Sequence, residues 1–430
     1  MRMKLTRREF ARQIIPASLA SAAFLGKSSP VIAKRRKPQV LVVGGGVGGL
    51  IAARHLAQLD PPIDVTLIEK SPTYVSNFNA NLYIGGLITF DEISHTYDRL
   101  VASSPIKLIH QRAATIDRKK KQVVLASGHS LAYDRLVLSP GIDLQYDSVP
   151  GWASEFEDLM PHAWKGGGQI ALLKSRLDAV EDGGTIVVIA PPNPYACPPG
   201  PYERVSMMAH ALRSAGKSNC KIIVLDPKES FSMQGLFEEG WESHYPGMVQ
   251  WIDASIYETI ESVDPKTNTV VTGFDTYRNA ALVNVIPAQV AAAIARDAGL
   301  VDKTGYCPIE AATMRSMIDP SIYALGDACL GGDMPKSAYA ASSQAKVAAA
   351  AIASDLLGKP PASNSYESVC WSEIERDDAV KYASRYELRD AAIRLAESTV
   401  SQMGETAELR KANQQEKFRW NQTLVADMFS

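Results

Sequence analysis

The sequence predicts an α/β fold with two Rossmann-like dinucleotide-binding domains and a carboxyl-terminal domain. Three segments carry this prediction. The first is a glycine-rich turn between an apolar strand and a helix at 39–59, and the second is a similar strand-loop-helix unit that begins at Gly183. The third is an apolar strand that ends in Gly-Asp at 321–328. Short apolar runs that alternate with helix-type patterns are typical of parallel sheets built from βα units.

The composition is that of a large globular chain. Its 430 residues are 46% hydrophobic, and a chain of this length is too large for one compact core, so two or three domains are expected. The 45 basic and 47 acidic residues give a net charge of -2. This balance offers no basic stripe for phosphates and argues against nucleic acid as a partner.

The amino terminus resembles a twin-arginine export signal. Thr6-Arg7-Arg8-Glu9-Phe10 precedes a mildly apolar run from Ile14 to Leu25, and Val31-Ile32-Ala33 resembles a cleavage site. We therefore expect residues 1–33 to be a signal and the mature protein to be periplasmic, exported in folded form with its cofactor. The alternative interpretation is a basic, amphipathic first helix. No other run of the sequence approaches the ~18 apolar residues of a membrane span.

The first glycine-rich turn has the features of a dinucleotide-binding fingerprint. Gly44 is expected to make the tight turn, Gly46 to let the backbone approach a pyrophosphate, and Gly49 to allow close packing of the helix. Glu69 lies 20 residues after Gly49, at the end of the next strand, where it can bind a ribose hydroxyl, and Lys70 is grouped with it as cofactor-binding. The alternative is a tight βα turn without a ligand.

The second strand-loop-helix unit resembles a nucleotide-binding unit with an altered loop. Its strands are expected at 185–190 and 221–225, the latter followed by Asp226. The connecting loop, Pro191 to Pro201, contains prolines where glycines would bind a pyrophosphate, and proline has no N–H to donate to an anion. We infer a nicotinamide-type domain that no longer binds nicotinamide.

The third segment is expected to complete a flavin site. In flavoproteins with two dinucleotide-binding domains, a Gly-Asp like Gly326-Asp327 holds the ribityl and pyrophosphate part of FAD, and the next helix points its amino terminus at the flavin. Pro335 and Lys336 precede that helix, which is expected to run to about Leu357, and Lys336 is expected at the flavin edge. The segment 133–141 resembles the strand that returns the chain to this domain.

These segments define the predicted domains. They are a signal at 1–33, the first part of an FAD-binding domain at 34–148, a second Rossmann-like domain at 149–275, the second part of the FAD domain at 276–359 and a carboxyl-terminal interface domain at 360–430. The charged tract from Glu373 to Lys417 is expected to be a solvated helical face.

The five cysteines show no metal or haem pattern. They are far apart and include no CxxC pair or CxxCH haem site, so no metal site and no c-type haem are expected in this chain. Cys197 stands out because it lies on the proline loop after a strand, six residues before Glu203, where ordinary turn residues would be Gly, Asn or Asp. Cys220, Cys307 and Cys329 are interpreted as structural.

Two specific motifs resemble one flavoprotein family. The run Cys-Pro-Pro-Gly-Pro-Tyr-Glu-Arg at 197–204, and Met-Pro-Lys-Ser at 334–337 followed by Gln-Ala-Lys at 344–346, are similar to the flavoprotein subunit of flavocytochrome c sulfide dehydrogenase. The resemblance implies FAD-dependent oxidation of sulfide through a redox-active disulfide, with electrons passed to a c-type cytochrome subunit or soluble cytochrome. It further implies that Cys197 pairs with a later cysteine, for which Cys370 is the candidate, and that Glu203 shuttles a proton.

One departure from the family pattern bears on the flavin, and two alternative functions remain open. Familiar members link the flavin to a cysteine four residues before the position of Asn81, where this chain has Asn77, so FAD is expected to bind without a covalent bond. The alternatives are a sulfide:quinone oxidoreductase and a non-enzymatic flavin-binding assembly or redox-sensing subunit. In the second of these, Cys197 and Cys370 would serve only as a structural staple.

Overall fold

A computed structural model describes residues 36–360 and 365–430. The predicted signal at 1–33 lies outside the described residues. Among the described residues, the strands before residue 325 are short, and the last three strands are longer. In chain order they are β1 Gln39–Val43, β2 Asp64–Ile68, β3 Thr73–Val75, β4 Ser94–Thr96, β5 Lys107–Ile109, β6 Ala113–Asp117, β7 Gln122–Leu125, β8 Ser130–Ala132, β9 Arg135–Leu138, β10 Ile142–Leu144, β11 Thr185–Ile189, β12 Lys221–Asp226, β13 Val249–Asp253, β14 Ile260–Asp264, β15 Thr269–Thr272, β16 Thr276–Tyr277, β17 Leu282–Val285, β18 Gln289–Ala291, β19 Ile322–Ala324, β20 Tyr366–Glu375, β21 Asp378–Arg389 and β22 Ala392–Val400.

Among the same residues, most α-helices connect strands, and the last α-helix follows the final strand. They are α1 Val47–Ala57, α2 Ala80–Ile84, α3 Asp98–Ser103, α4 Gly167–Asp178, α5 Gly200–Ser214, α6 Gln234–His244, α7 Ala254–Tyr257, α8 Ala293–Asp297, α9 Ala338–Leu357 and α10 Ala407–Phe429. No α-helix within 36–360 and 365–430 combines the length and the apolar character of a membrane span.

The first sheet is parallel and has the strand order β19-β9-β1-β2-β5. Its central strands are continuous apolar runs, and Val40, Leu41, Val42 and Val43 are all buried, as is typical of the inner strands of a parallel sheet. Strand β19 pairs with β9, so a segment after residue 320 completes a sheet that begins at residue 39. Segments far apart in the sequence therefore contribute to one sheet.

The second sheet is also parallel and has the order β13-β12-β11-β17. Helix α5 follows β11 and leads to β12, as the second strand-loop-helix unit predicts. Strand β17 pairs with β11, so Leu282–Val285 belongs to this sheet rather than to the range 276–359 assigned to the first domain. The difference arises because a short apolar strand has no sequence signal for the sheet that it joins.

The carboxyl-terminal region differs from its prediction. The tract from Glu373 to Lys417 is not a solvated helix. Most of it lies in the antiparallel sheet of β20, β21 and β22, and only the last part of the tract lies in α10. A turn at Asp377, with φ +63°, reverses the chain between β20 and β21. Glu373 and Lys417 are both buried, since β20 packs against α5 and α10. The helical interpretation was wrong because charge density does not distinguish a solvated helix from a strand with buried ion pairs.

Candidate functional site

A cavity lies where the carboxyl ends of the first sheet meet the proline loop, β20 and α10. Its walls include the glycine turn after β1, the Gly-Asp after β19, the start of α9, and both Cys197 and Cys370. Ligands of open α/β sheets bind at such carboxyl ends, where loops from several strands converge. The cavity therefore unites the three segments on which the sequence analysis depended.

The glycine turn has the predicted geometry. Gly44 has φ +104°, and a Cβ atom there would lie 2.2 Å from the backbone oxygen of Ser139. A Cβ atom at Gly49 would lie 1.9 Å from the oxygen of Gly44. A Cβ atom at Gly46 would meet no other atom within 4 Å, so there is open space beside this residue. Gly46 lines the cavity at the amino terminus of α1, where free N–H groups favour a pyrophosphate.

The carboxylate of Glu69 is fixed beside this turn. It accepts hydrogen bonds from the backbone N–H of Gly45 at 2.7 Å and of Ser71 at 2.8 Å, and it lines the cavity. Lys70 is exposed, and neither Lys70 nor Pro335 is among the residues that line the cavity. Of these candidates, Glu69 is the one that the structure places at the cavity.

The Gly-Asp segment forms the opposite wall. Gly326 has φ +69°, and burial raises the pKa of the Asp327 carboxyl. The Lys336 ammonium donates to the backbone oxygens of Asp327 at 2.8 Å and Cys329 at 2.6 Å and lies 3.9 Å from the centre of the Tyr306 ring. Ser337 caps α9, whose amino terminus faces the cavity.

These features fit FAD. The open space before Gly46 and the amino terminus of α1 suit the pyrophosphate, Glu69 suits a ribose hydroxyl, and the amino terminus of α9 suits the electron-rich edge of a flavin. Asn77, which stands where relatives would carry a flavin-linking cysteine, also lines the cavity. No cysteine side chain of the described residues occupies that position.

Cys197 has an unusual backbone conformation. Its φ is +57°, in the left-handed region that a non-glycine residue rarely adopts, and such residues cluster at functional sites. Its N–H donates to the oxygen of Lys336 at 2.6 Å, which fastens the proline loop to the FAD-binding segment. Gly200 is required beside it, because a Cβ atom there would lie 2.9 Å from the Cys197 sulfur.

Cys370 lies on β20 and lines the same cavity as Cys197, although 173 residues separate them in sequence. Both are free thiols in this structure, so the Cys197–Cys370 disulfide stays a prediction. Burial raises the pKa of the Cys370 thiol to about 11. Burial, followed by the neighbouring Cys370 and Glu203, raises the pKa of Cys197 well above its ordinary value. The two sulfurs therefore lie within electrostatic reach of each other.

A buried carboxylate–lysine cluster, formed by Glu203, Glu373 and Lys417, adjoins the cysteines. The Lys417 ammonium contacts Glu203 Oε1 at 2.8 Å and also Glu373 Oε2. Asn81 donates to Glu203 Oε2 at 2.8 Å, and the Glu373 N–H donates to Glu203 Oε1 at 3.1 Å. Burial opposes ionisation of Glu203, but Lys417 and these hydrogen bonds hold its pKa below the usual range.

The sequence analysis identified Glu203 but missed Glu373 and Lys417. A signal for Glu373 existed, because it lies three residues after Cys370 in a strand-compatible run. Lys417 carried no signal, since its partner Glu203 lies 214 residues away and a charged position in a helix is usually exposed.

Arg204 is a second buried cation that lines the cavity. Its guanidinium donates to Asn81 Oδ1 at 3.1 Å and to the backbone oxygens of His162 at 2.9 Å and Ala163 at 2.6 Å, and it lies 4.8 Å from the centre of the Trp164 ring. All of these partners are neutral. Burial lowers the pKa of Arg204 to about 9.

Aromatic side chains form another wall of the cavity. The Tyr339 and Trp420 rings stack with centroids 5.4 Å apart and planes 14° apart, and Trp371 lies 5.4 Å from Trp420. Phe78 meets Trp420 edge-on at 5.6 Å. This wall brings α9, β20 and α10 together with the segment before α2.

In the second domain, the carboxylate at the position expected to bind a nucleotide ribose already has side-chain partners. Asp226, at the end of β12, accepts hydrogen bonds from the Tyr202 hydroxyl at 2.5 Å and the Trp251 indole at 3.0 Å, and the Lys228 ammonium lies 2.6 Å away. Asp226 is completely buried by these side chains. In the proline loop, the Ala196 N–H donates to Gln289 Oε1 at 2.9 Å, so this donor is not free either.

The remaining cysteines lie away from the cavity lining. Cys220, Cys307 and Cys329 are buried, and Cys307 and Cys329 face each other across an isolated parallel bridge. Within 36–360 and 365–430, no group of His, Cys, Asp and Glu side chains has the arrangement of a metal site.

Three family models match the chain. The model described as "Sulfide dehydrogenase [flavocytochrome c] flavoprotein chain, central" matches residues 170–287. "Flavocytochrome c sulphide dehydrogenase, flavin-binding" matches residues 362–429, and "Pyridine nucleotide-disulphide oxidoreductase" matches residues 38–171.

Curated relatives include both sulfide dehydrogenases and sulfide:quinone oxidoreductases. The chain is 50% identical over 38 residues to the sulfide dehydrogenase [flavocytochrome c] flavoprotein chain of Chlorobaculum thiosulfatiphilum, which is 9% of this chain and 79% of that one. It is 33% identical over 107 residues to the sulfide-quinone reductase of Aquifex aeolicus, a quarter (25%) of each chain. It is 20% identical to the mitochondrial sulfide:quinone oxidoreductase of Mus musculus over 72% of this chain and 69% of that one.

The fold agrees with a solved flavoprotein. The crystal structure of the sulfide:quinone oxidoreductase from Aquifex aeolicus superposes with a TM-score of 0.73 and 19% identity, covering 89% of this chain and 91% of that chain. The predicted fold class is thereby confirmed, and the flavin-binding family model confirms the FAD cofactor. Together with the matches above, this establishes that the chain belongs to the flavocytochrome c sulfide dehydrogenase flavoprotein family.

Proposed function

We propose that the protein oxidises sulfide through a Cys197–Cys370 disulfide beside bound FAD and passes the electrons to a c-type cytochrome. The observation that carries the proposal is the convergence of these two cysteines, from distant segments, on the cavity that fits FAD. Glu203 lies in the same lining and supplies a proton acceptor. The family match supports sulfide as the substrate and a cytochrome as the partner.

The first step is a thiol–disulfide exchange. Hydrosulfide attacks one sulfur of the disulfide, a new bond forms between the two sulfurs, and the Cys197–Cys370 bond breaks with its electron pair on the other cysteine. The products are a persulfide and a thiolate, and no electron leaves the protein in this step. FAD, when bound, supplies a two-electron acceptor next to them.

The protein side chains control the charges and the proton. Lys417 and Arg204 are buried cations of the same lining, and each stabilises a thiolate that would otherwise be disfavoured by burial. The proton carried by the attacking sulfur must leave as that sulfur is oxidised. The Glu203 carboxylate is the acceptor in this proposal, because Lys417 and its hydrogen bonds keep it ionised in a buried site, so it has no proton of its own and can take one up.

Quinone as the acceptor is the second candidate. The stacked rings of Tyr339 and Trp420, with Trp371 beside them, offer an aromatic surface for a quinone ring, and several relatives carry quinone in their names. Reoxidation of the sulfide-reduced protein by cytochrome c and by a soluble ubiquinone analogue compares the two. Faster reoxidation by cytochrome c supports the proposal, whereas a marked preference for quinone supports the alternative.

We also propose export to the periplasm through the twin-arginine signal. The motif at Arg7 and Arg8 supports this location. Replacement of both by Lys should retain the protein in the cytoplasm with FAD bound, as measured by cell fractionation. Normal export of this variant would contradict the proposal.

The decisive experiment is anaerobic reduction by sulfide, followed by flavin absorbance. Cys197→Ser and Cys370→Ser should each keep FAD and lose roughly 10³-fold in the rate of reduction, because they remove a member of a cooperating unit. Cys220→Ser is the matched control, since Cys220 is buried away from the cavity and should leave the rate near normal. Near-normal reduction in both active-site variants would overturn the disulfide mechanism. Slow or absent reduction of the unmodified protein would favour a flavin-binding or redox-sensing role.

A further inference from the structure

The lining around the cysteines contains two buried cations, Arg204 and Lys417. Arg204 has only neutral hydrogen-bond acceptors among its described partners, and Lys417 is shared by two carboxylates. With Glu203 ionised, the charge of the group depends on Glu373. It is +1 when Glu373 carries a proton and zero when Glu373 is ionised.

The geometry favours a proton on Glu373. This side chain is completely buried, and its Oε1 atom has no hydrogen-bond partner among the described residues. Its Oε2 atom competes with Glu203 for the same ammonium. Glu203 accepts two further hydrogen bonds, from Asn81 and from the Glu373 backbone, so Glu203 is the better stabilised anion. A buried ionised carboxylate with a bare oxygen is costly, and a proton removes most of that cost.

We propose that Glu373 is a charge-setting residue: its bound proton leaves the cysteine pocket, defined by Cys197, Cys370, Glu203, Arg204 and Lys417, with a net positive charge that takes up the hydrosulfide anion. The inference rests on the proposed function and adds to it the ionic form of the substrate and the residue that selects it. Glu373 acts through the field in the pocket and touches no reacting atom. Loss of its proton makes the pocket neutral and disfavours both the entering anion and the thiolate that it generates.

The surroundings of Glu373 give the proposal a pH window. Burial and the neighbouring Glu203 raise the pKa of Glu373 to about 8, against the opposing effect of Lys417. The charged groups that act on Glu373 are Glu203 of α5 and Lys417 of α10. On β21, Asp378 is engaged with His244 and Arg410, and Lys381 is engaged with Glu416. Glu375 of the same strand as Glu373 is engaged separately, with His210 of α5 and with the hydroxyl of Tyr245, which directly follows α6. The positive pocket therefore exists below about pH 8 and is lost above it.

Glu373→Gln is the informative variant, because glutamine imitates the protonated carboxyl at every pH. The ratio of the variant's rate of sulfide reduction to that of the unmodified protein cancels the ionisation of sulfide itself. We expect a ratio near one at neutral pH that rises to roughly tenfold well above pH 8. A unit charge about 10 Å away, three residues along a strand, has an effect of this size at an effective dielectric constant of about 20.

Glu375→Gln is the matched control on the same strand. Although burial opposes its ionisation, His210 and the other hydrogen-bond partners lower the pKa of Glu375 to about 2, so this group keeps its charge throughout the range. Its ratio should not change with pH. A flat ratio for Glu373→Gln, or equal slopes for the two variants, would overturn the proposal.

Two readouts do not depend on sulfide and separate this inference from the proposed function. The infrared band of a protonated carboxyl should be present in the FAD-bound protein at neutral pH, disappear with a midpoint near 8, and be missing in Glu373→Gln. After chemical reduction, alkylation of Cys197 and Cys370 should be faster in this variant than in the unmodified protein above that midpoint. Absence of the band at neutral pH would overturn the inference even if Glu373→Gln did not fold. If the band titrates but sulfide never reduces the flavin, the proposed function fails and the charge-setting role stands.

Discussion

Removal of Lys417 is expected to destabilise the protein strongly, because two buried carboxylates then lose their shared cation. In Lys417→Met, Glu203 keeps its hydrogen bonds from Asn81 and the Glu373 backbone, whereas the Glu373 side chain loses its ion pair and its Oε1 atom already has no hydrogen-bond partner among the described residues. Breaking a buried ion pair in this way costs about 3–5 kcal/mol. At about 2.1 cal/mol/K per residue over roughly 390 residues, the expected fall in Tm is about 4–6 °C.

Scanning calorimetry of the FAD-bound protein at a fixed scan rate measures this effect. The loss should be largest where Glu203 is ionised and shrink as acid protonates Glu203, since its unpaired charge then disappears. The matched control is the triple variant Glu203→Gln, Glu373→Gln and Lys417→Met, which removes all three groups together. Replacement of a complete buried ionic group is often nearly neutral, so most of the stability should return. A fall of under about 1 °C for Lys417→Met, or a triple variant no more stable than the single one, would refute this reasoning.

Three further outcomes are expected. Acid or heat denaturation should release all FAD into the supernatant, because Asn77 offers no sulfur for a covalent link; yellow precipitated protein would contradict this. Neither NADH nor NADPH should reduce the flavin at useful rates, because Tyr202, Trp251 and Lys228 already occupy the Asp226 carboxylate. Rapid anaerobic bleaching of the flavin by either nucleotide would show that the nucleotide site is intact. Burial, with help from Arg204 and Lys165, lowers the pKa of His162 to about 3, so the unfolded chain binds a proton below about pH 6.5 that the folded protein does not. Stability should therefore fall by about 2 kcal/mol from pH 6.5 to pH 5, and urea unfolding of His162→Gln should show a shallower fall than the unmodified protein.

The parts of the fold that the sequence predicts are those with local causes. Gly44 needs a positive φ, and Gly49 needs the absence of a Cβ atom, so a short motif reports both positions directly. The strand after residue 320 could be assigned to the first sheet because Gly326-Asp327 marks its end. Strand β17 carries no such mark, and its place in the second sheet follows only from its pairing with β11.

The parts that the sequence does not predict depend on contacts between distant segments. Cys197 is conspicuous in a proline loop, but the Glu203–Lys417 ion pair spans 214 residues and has no local pattern. Charged side chains are exposed far more often than buried, so Glu373 and Lys417 looked like parts of a solvated surface. Their burial results from the packing of β20 and α10 around α5, which is a tertiary effect.

The proline loop of the second domain bears on two electron donors, a nicotinamide nucleotide and sulfide. In the second domain, the loop that would bind a dinucleotide contains prolines, its Ala196 N–H is taken by Gln289, and Asp226 is sealed by aromatic and basic side chains. The same loop is fastened to the FAD-binding segment by the hydrogen bond from Cys197 to Lys336, and this holds the Cys197 sulfur in the cavity. A loop that is tied down in this way cannot move aside for a nicotinamide ring. Under the proposed function, this loop therefore has two roles: it excludes the nucleotide and holds a sulfur electrophile in the cavity that fits FAD.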